Sequence, residues 1–473
     1  MGDNIPVLVW LRRDLRLGDN PALAAAVASG RPVIPVFIAD EMMQDLGAAP
    51  DWRLKLGVAH FDRVLRQVGS RVLFRIGSAR QILQQLVAET GATGIYWNRA
   101  YHPDEITRDT NIKSDLKALG IEVKSFPGNL CFEPWTVAKG SGGGYRVFTP
   151  FWRSVRQLSV AASAPAPAQL RSPQDWPKAD DLQLWAARHR MGRGVSVVRP
   201  YLSLGEQAAW ERLETFCDDG LSGYSAGRDI PSRPATSGLS EALACGEISA
   251  RQIWHRGRAL WQDGAVGAET FLKQLVWREF AYHLMFHEPH ILTRNWRQEW
   301  DGFPWNQDDQ HPDVIAWKQG RTGIAFVDAA MREMYVTGRM HNRGRMIVAS
   351  YLSKHLMTDW RIGQRWFADC LTDWDPASNA MGWQWAAGSG PDAAPYFRVF
   401  NPELQLKKFD PDGRYRRGWI AEGQAEPSET ALSYFDAIPK SWNMRAGNPY
   451  PTPIVSAAKG RERALAAYQN RGF

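Results

Sequence analysis

The stretch IPVLVWLRRDLRLGDNPALAAAVASGRPVIPVFI, residues 5–38, decides the fold of the N-terminal part of the chain. It begins and ends with a short apolar run rich in Val and Ile, and a helical pattern at about 20–29 separates the two. Further apolar runs lie at 72–76, 94–98 and 121–125. They alternate with helical patterns at about 52–69, 78–90 and 104–119. Alternating strands and helices predict a doubly wound parallel α/β sheet domain over residues 1–130.

The carboxyl ends of the strands are where a doubly wound sheet binds its ligands. Here these ends lead into three segments rich in charged residues, WLRRDLRLGDN, FIADEMM and WNRAYHPDE. No G-x-G-x-x-G follows the first strand. The sequence therefore does not support a dinucleotide held in the Rossmann manner by this domain.

Residues 131–200 show no sustained periodicity. SGGG at 141–144 and the APAPA run at 164–168 are typical of a connecting segment. The run YRVFTPFW at 145–152 is too aromatic for a free linker, so we expect it to pack against another part of the protein. From 201 to 473 the pattern is helical, and we read an all-helical C-terminal domain.

The bulk numbers indicate a folded, weakly basic protein. Its 473 residues predict two or three domains, and the net charge of +7 comes mainly from the connecting segment. We find no signal peptide and no run long enough to cross a membrane, and we expect a cytoplasmic monomer. The cysteines form no C-x-x-C pair, so we expect free thiols and no metal site; they are Cys131, Cys217, Cys245 and Cys370.

A second stretch, from Gly338 to Pro402, combines tryptophans with many Arg, Asn and Asp residues at helical spacings. A helix on the surface of a soluble protein needs one apolar face, and this stretch has more polar groups beside that face than solubility requires. We expect it to form half the wall of a cavity for a cofactor and a substrate.

Five motifs give the chain a resemblance to the photolyase/cryptochrome family, from its first strand to its last helices. They are WLRRDLRLGDNPAL at 10–23, WREF at 277–280, GRTGIAFVDAAMR at 320–332, MHNR at 340–343 and DAAPYFRVFNP at 392–402. The resemblance implies an α/β antenna domain and an all-helical domain that holds FAD in a U shape. This agrees with the domains read above: 1–130, a linker at 131–200, and 201–473.

The resemblance assigns two groups of residues to FAD. The first is a phosphate-binding loop with Tyr224 upstream of it; the loop is Thr236, Ser237, Gly238, Leu239 and Ser240. Its Ser and Thr side chains can cap the following helix, and a helix start attracts anions. Many relatives carry Arg or Lys where this chain has Gly238, which removes one cation. The second group surrounds the isoalloxazine ring and comprises Arg345, Asp373, Trp374, Asp375 and Asn379.

Asn379 aligns with the residue that faces flavin N5. A neutral amide there can accept or donate a hydrogen bond. A carboxylate, as in plant cryptochromes, can supply a proton, so Asn379 fits an enzyme that keeps its flavin fully reduced. The resemblance also implies a chain of three tryptophans that passes electrons to the flavin, with Trp383 proximal, Trp360 central and Trp305 exposed. Trp317 is the competing residue.

A third group matches family positions that contact DNA and a flipped pyrimidine dimer. Trp277 and Trp385 match the aromatic walls of the dimer pocket, as base flipping requires. Asn342 and Met346 stand where (6-4) photolyases carry His, which favours the cyclobutane-dimer type. The other members are Arg228, Gln274, Arg278, Arg343 and Gln405. Gln274 replaces the Glu of well-known dimer-specific relatives. Arg339 replaces a common Trp, and the sequence offers no reason for that change beyond a contact with a DNA phosphate.

For a second chromophore, Glu105 aligns with a carboxylate that binds methenyltetrahydrofolate in some relatives. That folate is the first expectation, and a deazaflavin, another flavin or no antenna stay open. The leading functional hypothesis is light-driven repair of cyclobutane pyrimidine dimers in DNA. The alternatives are a cryptochrome-type photoreceptor and a flavoprotein that binds DNA with neither activity.

Overall fold

The computed structural model describes residues 4–140, 142–392 and 397–472. Residues 393–396 of the family motif at 392–402 lie outside these ranges. In the described part of the chain, no helix is both long and apolar enough to cross a bilayer.

The N-terminal domain contains one five-stranded sheet in the order β3-β2-β1-β4-β5, with every pair of neighbours parallel. The strands are β1 (Val7–Leu11), β2 (Val33–Ala39), β3 (Leu73–Ile76), β4 (Gly94–Asn98) and β5 (Glu122–Phe126). The crossover helices are α1 (Pro21–Ala28), α2 (Ala48–Gln67), α3 (Ala79–Thr90) and α4 (Pro103–Ala118). Strands β1 and β4 are buried on both faces, as a sheet covered by helices requires. The predicted doubly wound sheet is confirmed, with element ends shifted by a few residues.

Within the described residues beyond β5, the chain forms helices and irregular segments but no further strand. Three helices lie in the linker: α5 (Phe148–Val155), α6 (Leu182–Ala187) and α7 (Gly194–Val198). The helical domain contains α8 (Gly205–Thr215), α9 (Tyr224–Gly227), α10 (Ser240–Cys245), α11 (Ala250–Gln262), α12 (Ala268–His287), α13 (Pro312–Lys318), α14 (Ala325–Thr337), α15 (Asn342–Ser350), α16 (Trp360–Cys370), α17 (Pro376–Ala387), α18 (Pro402–Phe409), α19 (Arg414–Trp419), α20 (Glu429–Ala437) and α21 (Ala457–Gln469). Two single π-helical turns occur, at Phe216–Gly220 and Tyr351–His355.

The linker packs along its length on both domains. Its aromatic run packs on the helical domain, since Phe148, Phe151 and Trp152 are buried in one cluster with residues of α12. The backbone N–H of Tyr145 donates to Nε2 of His283 on α12 at 2.8 Å, and burial lowers the pKa of His283 to about 3, so this ring is a neutral acceptor. Further along, Leu182 is buried in the core of the α/β domain.

The crevice at the sheet's switch point, between the carboxyl ends of β1 and β4, is filled by the chain itself. Asn98, the last residue of β4, donates to Asp14 Oδ2 at 2.6 Å and to Asn20 Oδ1 at 2.8 Å. Arg12 donates to the Asn98 carbonyl, and its ion pair with Asp109 measures 2.6 Å. Buried side chains therefore fill this crevice, and ligand binding at the strand ends stays a prediction.

These strand-end side chains form the joint with the helical domain. Asp19 is fully buried, accepts from Ser249, and pairs with Arg251 at 2.8 Å. The buried Arg16 donates to the Gly246 carbonyl at 2.9 Å. Buried charges need partners, and each of these has one across the joint. The motif at 10–23 thus connects the two domains.

Candidate flavin and DNA site

Helices α15, α16 and α17 bring together the polar residues expected around a flavin ring. Arg345 on α15 places one guanidinium nitrogen 2.7 and 2.9 Å from the two oxygens of Asp373, whose side chain is almost fully buried. Its Nε donates to the Met340 carbonyl at 2.9 Å. The guanidinium is thereby fixed in position. The structure shows the predicted pairing, and the role of this pair beside the flavin stays a prediction.

Each carboxylate oxygen of Asp375 accepts a hydrogen bond from the protein. It is the N-cap of α17, and its Oδ1 accepts from the Ser378 backbone at 2.8 Å. Its Oδ2 accepts from the Tyr282 hydroxyl, and burial together with this carboxylate raises the pKa of Tyr282, so the phenol keeps its proton. Asp375 therefore sets where α17 begins, and α17 carries Asn379, Trp383 and Trp385.

The amide of Asn379 is oriented by α16. Its Nδ2 donates to the Gln364 carbonyl at 3.0 Å. This leaves Oδ1, which can only accept, and the second Nδ2 hydrogen without a protein partner among the described residues. That Asn379 faces flavin N5 stays a prediction.

The loop before α10 differs from its expected capping pattern. The N-cap is Leu239, with no capping bond from a side chain, so the prediction that a Ser or Thr caps this helix is wrong. Within the described residues, no protein partner bonds the hydroxyls of Thr236, Ser237 or Ser240. Gly238 has a positive φ of 63°, a backbone conformation that favours glycine.

Tyr224 is buried at the start of α9. Its ring packs edge-on against Phe216 at 5.2 Å and Phe271 at 6.1 Å. This packing holds it next to the helical core. A flavin contact from Tyr224 stays a prediction.

The tryptophans lie in the aromatic core of the helical domain. The ring of Trp383 lies directly over Gly363 on α16, where an added Cβ would lie 2.0 Å from its Cη2. Gly363 is one turn after the fully buried Trp360, whose Nε1 donates to Asn295 at 2.8 Å. Trp383 also meets the ring of Trp317 edge-on at 6.1 Å. Trp317 thus contacts Trp383 directly, and the electron-transfer order of Trp383 and Trp360 stays a prediction.

Trp305 does not reach the surface as expected. It is 8% exposed, stacks with Trp300 at a centroid distance of 5.7 Å, and donates its Nε1 to the Ser353 carbonyl at 2.9 Å. Trp300 and Phe303 cover it, because the short helical turn at 298–302 folds back over it. No periodicity in this irregular segment signalled the burial.

Trp277 and Trp385 are connected through two residues, Phe148 and Asp392, to which the sequence analysis gave no site role. Trp277 on α12 stacks on Phe148 at 3.8 Å with an angle of 5° between the rings. The Phe148 backbone donates to the Asp392 carboxylate, and the Asp392 carbonyl accepts from Trp385 Nε1 at 3.2 Å. Both tryptophans are half-buried, so each keeps exposed ring surface.

Arg228 and Gln274 form a pair next to Trp277. Arg228 donates to Oε1 of Gln274 at 2.8 Å, and its guanidinium lies over the ring of Tyr224 at 5.4 Å. On α15, Asn342 is exposed and its amide contacts the sulfur of Met346 at 3.9 Å. These residues are accessible to a large ligand.

Arg343 and Gln405 lie near one another through Phe409. Arg343 pairs with Asp229 at 2.7 Å, and its guanidinium lies 4.4 Å from the ring centroid of Phe409 at the end of α18. Gln405 is half-exposed on the same helix. Contact of either residue with DNA stays a prediction.

Two predicted contacts are replaced by others. Arg278, predicted to touch DNA, points inward, donates to the Asn129 carbonyl at 3.1 Å and lies 4.8 Å from the Tyr282 ring. Trp374, predicted to contact the cofactor, packs on the α/β domain with the guanidinium of Arg13 5.4 Å from its ring. Both belong to contacts between the two halves of the chain.

Comparison with known proteins decides the family. A family model described as DNA photolyase matches residues 7–171, and one described as the FAD binding domain of DNA photolyase matches residues 271–470. A deoxyribodipyrimidine photo-lyase of Agrobacterium fabrum is 45% identical over 470 residues, which cover 98% of this chain and 97% of that protein.

The chain belongs to the photolyase/cryptochrome family.

Other members are similar over most of their length. The crystal structure of a bacterial class III photolyase from Agrobacterium tumefaciens is 44% identical and covers 98% of this chain and 97% of that one, with a TM-score of 0.90. Cryptochrome-1 of Arabidopsis thaliana is 34% identical, and the match covers 96% of this chain and 69% of that protein. Both branches of the family are therefore represented among the relatives.

FAD is the cofactor of this photolyase/cryptochrome chain, and when bound it supplies light absorption and one-electron chemistry. The donor set fits such a group. Arg345 with Asp373 offers a fixed cation, Asn379 offers an oriented acceptor, and the hydroxyls before α10 are free to bind phosphate.

Glu105 is the residue predicted to contact a second chromophore. Glu105 on α4 is half-buried beside the charge network of Arg12, Asp40 and Arg108. Burial raises the pKa of Asp40 to about 6 although Arg108 pairs with it. A folate contact from Glu105 stays a prediction.

Proposed function

We propose that the chain repairs cyclobutane pyrimidine dimers in DNA under blue or near-UV light. The dimer is flipped out of the duplex into the pocket beside Trp277 and Trp385. One electron passes from reduced FAD to the dimer, the two carbon–carbon bonds between the pyrimidines break, and the electron returns. No net oxidation or reduction takes place, so the reaction needs no further reductant.

The observation that carries the proposal is the link between the two tryptophans. Phe148 and Asp392 connect two half-buried indole rings, one from α12 and one from α17, through a ring stack and two hydrogen bonds. A flipped pyrimidine pair needs flat apolar walls with polar groups nearby for the base edges. Arg228 and Gln274 provide such polar groups beside Trp277.

Gln274 stands where well-known dimer-specific relatives carry Glu, and Arg228 sets the orientation of its amide. Because Oε1 accepts from Arg228, the amide presents its N–H₂ donors to the pocket. The neighbouring guanidinium brings a positive charge that stabilises negative charge on a base during the reaction. This supports repair activity in the absence of a carboxylic acid at this position.

Asn342 and Met346 support the dimer-specific class over the (6-4) class. Both lie on the accessible side of α15, where (6-4) relatives carry His residues. Neither side chain can act as a general acid at neutral pH. Chemistry that needs an imidazole is therefore not supported here.

Repair is tested by illuminating reduced protein with dimer-containing oligonucleotide. We expect thymine to be restored in the light and not in the dark. Trp277→Ala should weaken binding of dimer-containing DNA by about 10- to 100-fold, because base–aromatic stacking contributes about 1–3 kcal/mol per base. Trp135→Ala is the control, since this exposed tryptophan lies in the linker and should leave lesion binding unchanged.

A photoreceptor that does not repair gives a different result. It would restore no thymine, and it would bind dimer-containing and undamaged DNA equally. A DNA-binding flavoprotein without either activity would also show no lesion preference, and its affinity would fall steeply with salt. Either pattern would overturn the proposal.

A further inference from the structure

The space that a side chain at position 238 would fill is occupied by an arginine from another helix. Built onto the backbone, a Cβ at Gly238 would lie 2.7 Å from one terminal nitrogen of Arg212 and 3.4 Å from its Cδ. Arg212 belongs to α8 and is remote from the loop in sequence. Its other terminal nitrogen donates to the Ser203 hydroxyl at 2.7 Å, which holds the guanidinium against the loop.

The charge of Arg212 is not balanced by the protein. Among the described residues, no carboxylate lies within ion-pair distance of it. Glu241 attracts Arg212, but it pairs with Arg53 and lies 3.8 Å from Arg339. Burial, together with repulsion from Arg339, lowers the pKa of Arg212, although a guanidinium still keeps its proton at neutral pH.

The surroundings favour an anion at this place. A half-buried cation beside a second cation is unfavourable until an anion joins them. The free hydroxyls of Thr236, Ser237 and Ser240 lie in the same loop as Gly238. Hydroxyl donors next to a fixed guanidinium form a favourable site for phosphate oxygens.

We propose that Arg212 is the cation that neutralises the FAD pyrophosphate at the loop 236–240, and that Gly238 is required because the Arg212 guanidinium fills its side-chain space. The cation that many relatives carry within the loop is thus supplied by α8. This inference rests on FAD binding and not on the repair proposal.

The test compares FAD release from purified, FAD-loaded variants by the rise in flavin fluorescence on dilution at several salt concentrations. Arg212→Ala should release FAD about tenfold faster or more, because one charge-assisted phosphate contact is lost. Its release rate should also depend less on salt. Arg212→Lys keeps the charge and should retain most of the affinity. The matched control is Arg233→Ala, an exposed arginine just before the loop, which should change the rate little.

Relocating the charge separates an electrostatic role from a packing role. In Arg212→Ala/Gly238→Arg the loop residue has the space that Arg212 leaves, and FAD retention should recover in part despite the cost of a positive φ. If Arg212→Ala retains FAD like the parent protein, the proposal is wrong. It is equally wrong if Arg212→Lys and the double variant both release FAD as fast as Arg212→Ala, since Arg212 then acts only through its bond to Ser203.

Discussion

Replacing Arg53 with methionine is expected to lower the free energy of unfolding by about 3–5 kcal/mol. The Arg53 side chain on α2 has no exposed surface, and it binds both Glu247, at 3.0 Å for one of the bonds, and Glu241. Methionine keeps much of the packing volume but leaves two buried carboxylates of the helical domain without their cation. Urea unfolding followed by circular dichroism measures the loss.

The control for Arg53 lies on the same helix. Arg63→Met removes an exposed guanidinium and should change the free energy of unfolding by no more than about 0.5 kcal/mol. A loss of unfolding free energy below about 1 kcal/mol for Arg53→Met would contradict the expectation that these buried ion pairs stabilise the folded protein.

The loss caused by Arg53→Met should depend on pH. Burial raises the pKa of Glu241, and Arg53 opposes that rise. Without Arg53 the folded state holds this proton to a higher pH than the unfolded state does. The variant should therefore lose stability as pH rises and regain part of it as pH falls toward about 5. The same unfolding measurement at several pH values tests this sign.

Gly363→Ala is expected to disturb both packing and photoreduction. The added Cβ would lie 2.0 and 2.4 Å from two ring atoms of Trp383. That ring is held between Phe367 at 4.9 Å and Trp317 at 6.1 Å, so it has no free space to enter. We expect a loss of stability of about 1–3 kcal/mol. If Trp383 is the proximal tryptophan, as the resemblance implies, its displacement should slow photoreduction of the flavin with an external reductant by about tenfold or more.

Gly418→Ala is the matched control for Gly363. It also replaces a helical glycine, on α19, but an added Cβ there meets nothing within 4 Å. Alanine should stabilise this helix by about 0.5–1 kcal/mol and leave photoreduction unchanged. Equal behaviour of the two variants in both measurements would show that Trp383 is not packed against Gly363.

The sheet was predictable because its strands carry a local signal. Short runs of Val and Ile such as those of β1 and β2 are buried on both faces and appear in the sequence as continuous apolar segments. The family motifs predicted that Arg345 pairs with Asp373, and the structure shows this ion pair. These features depend on neighbouring residues or on long motifs.

The remaining features depend on contacts between distant segments. Trp277 and Arg278 are adjacent in sequence, but one stacks on Phe148 and the other points toward Asn129. Helical spacing tells which side chains share a face and not what packs against that face. The placement of Arg212 beside Gly238 was hidden for the same reason.

The joint between the domains has a consequence for synthesis on the ribosome. The α/β domain leaves the ribosome first, because synthesis begins at the N-terminus. At that moment Asp19 and Arg53 lack their partners, which belong to residues 241–251. We therefore expect the first domain to stay loosely folded until that segment emerges. The two domains should then complete their folding together in one cooperative step.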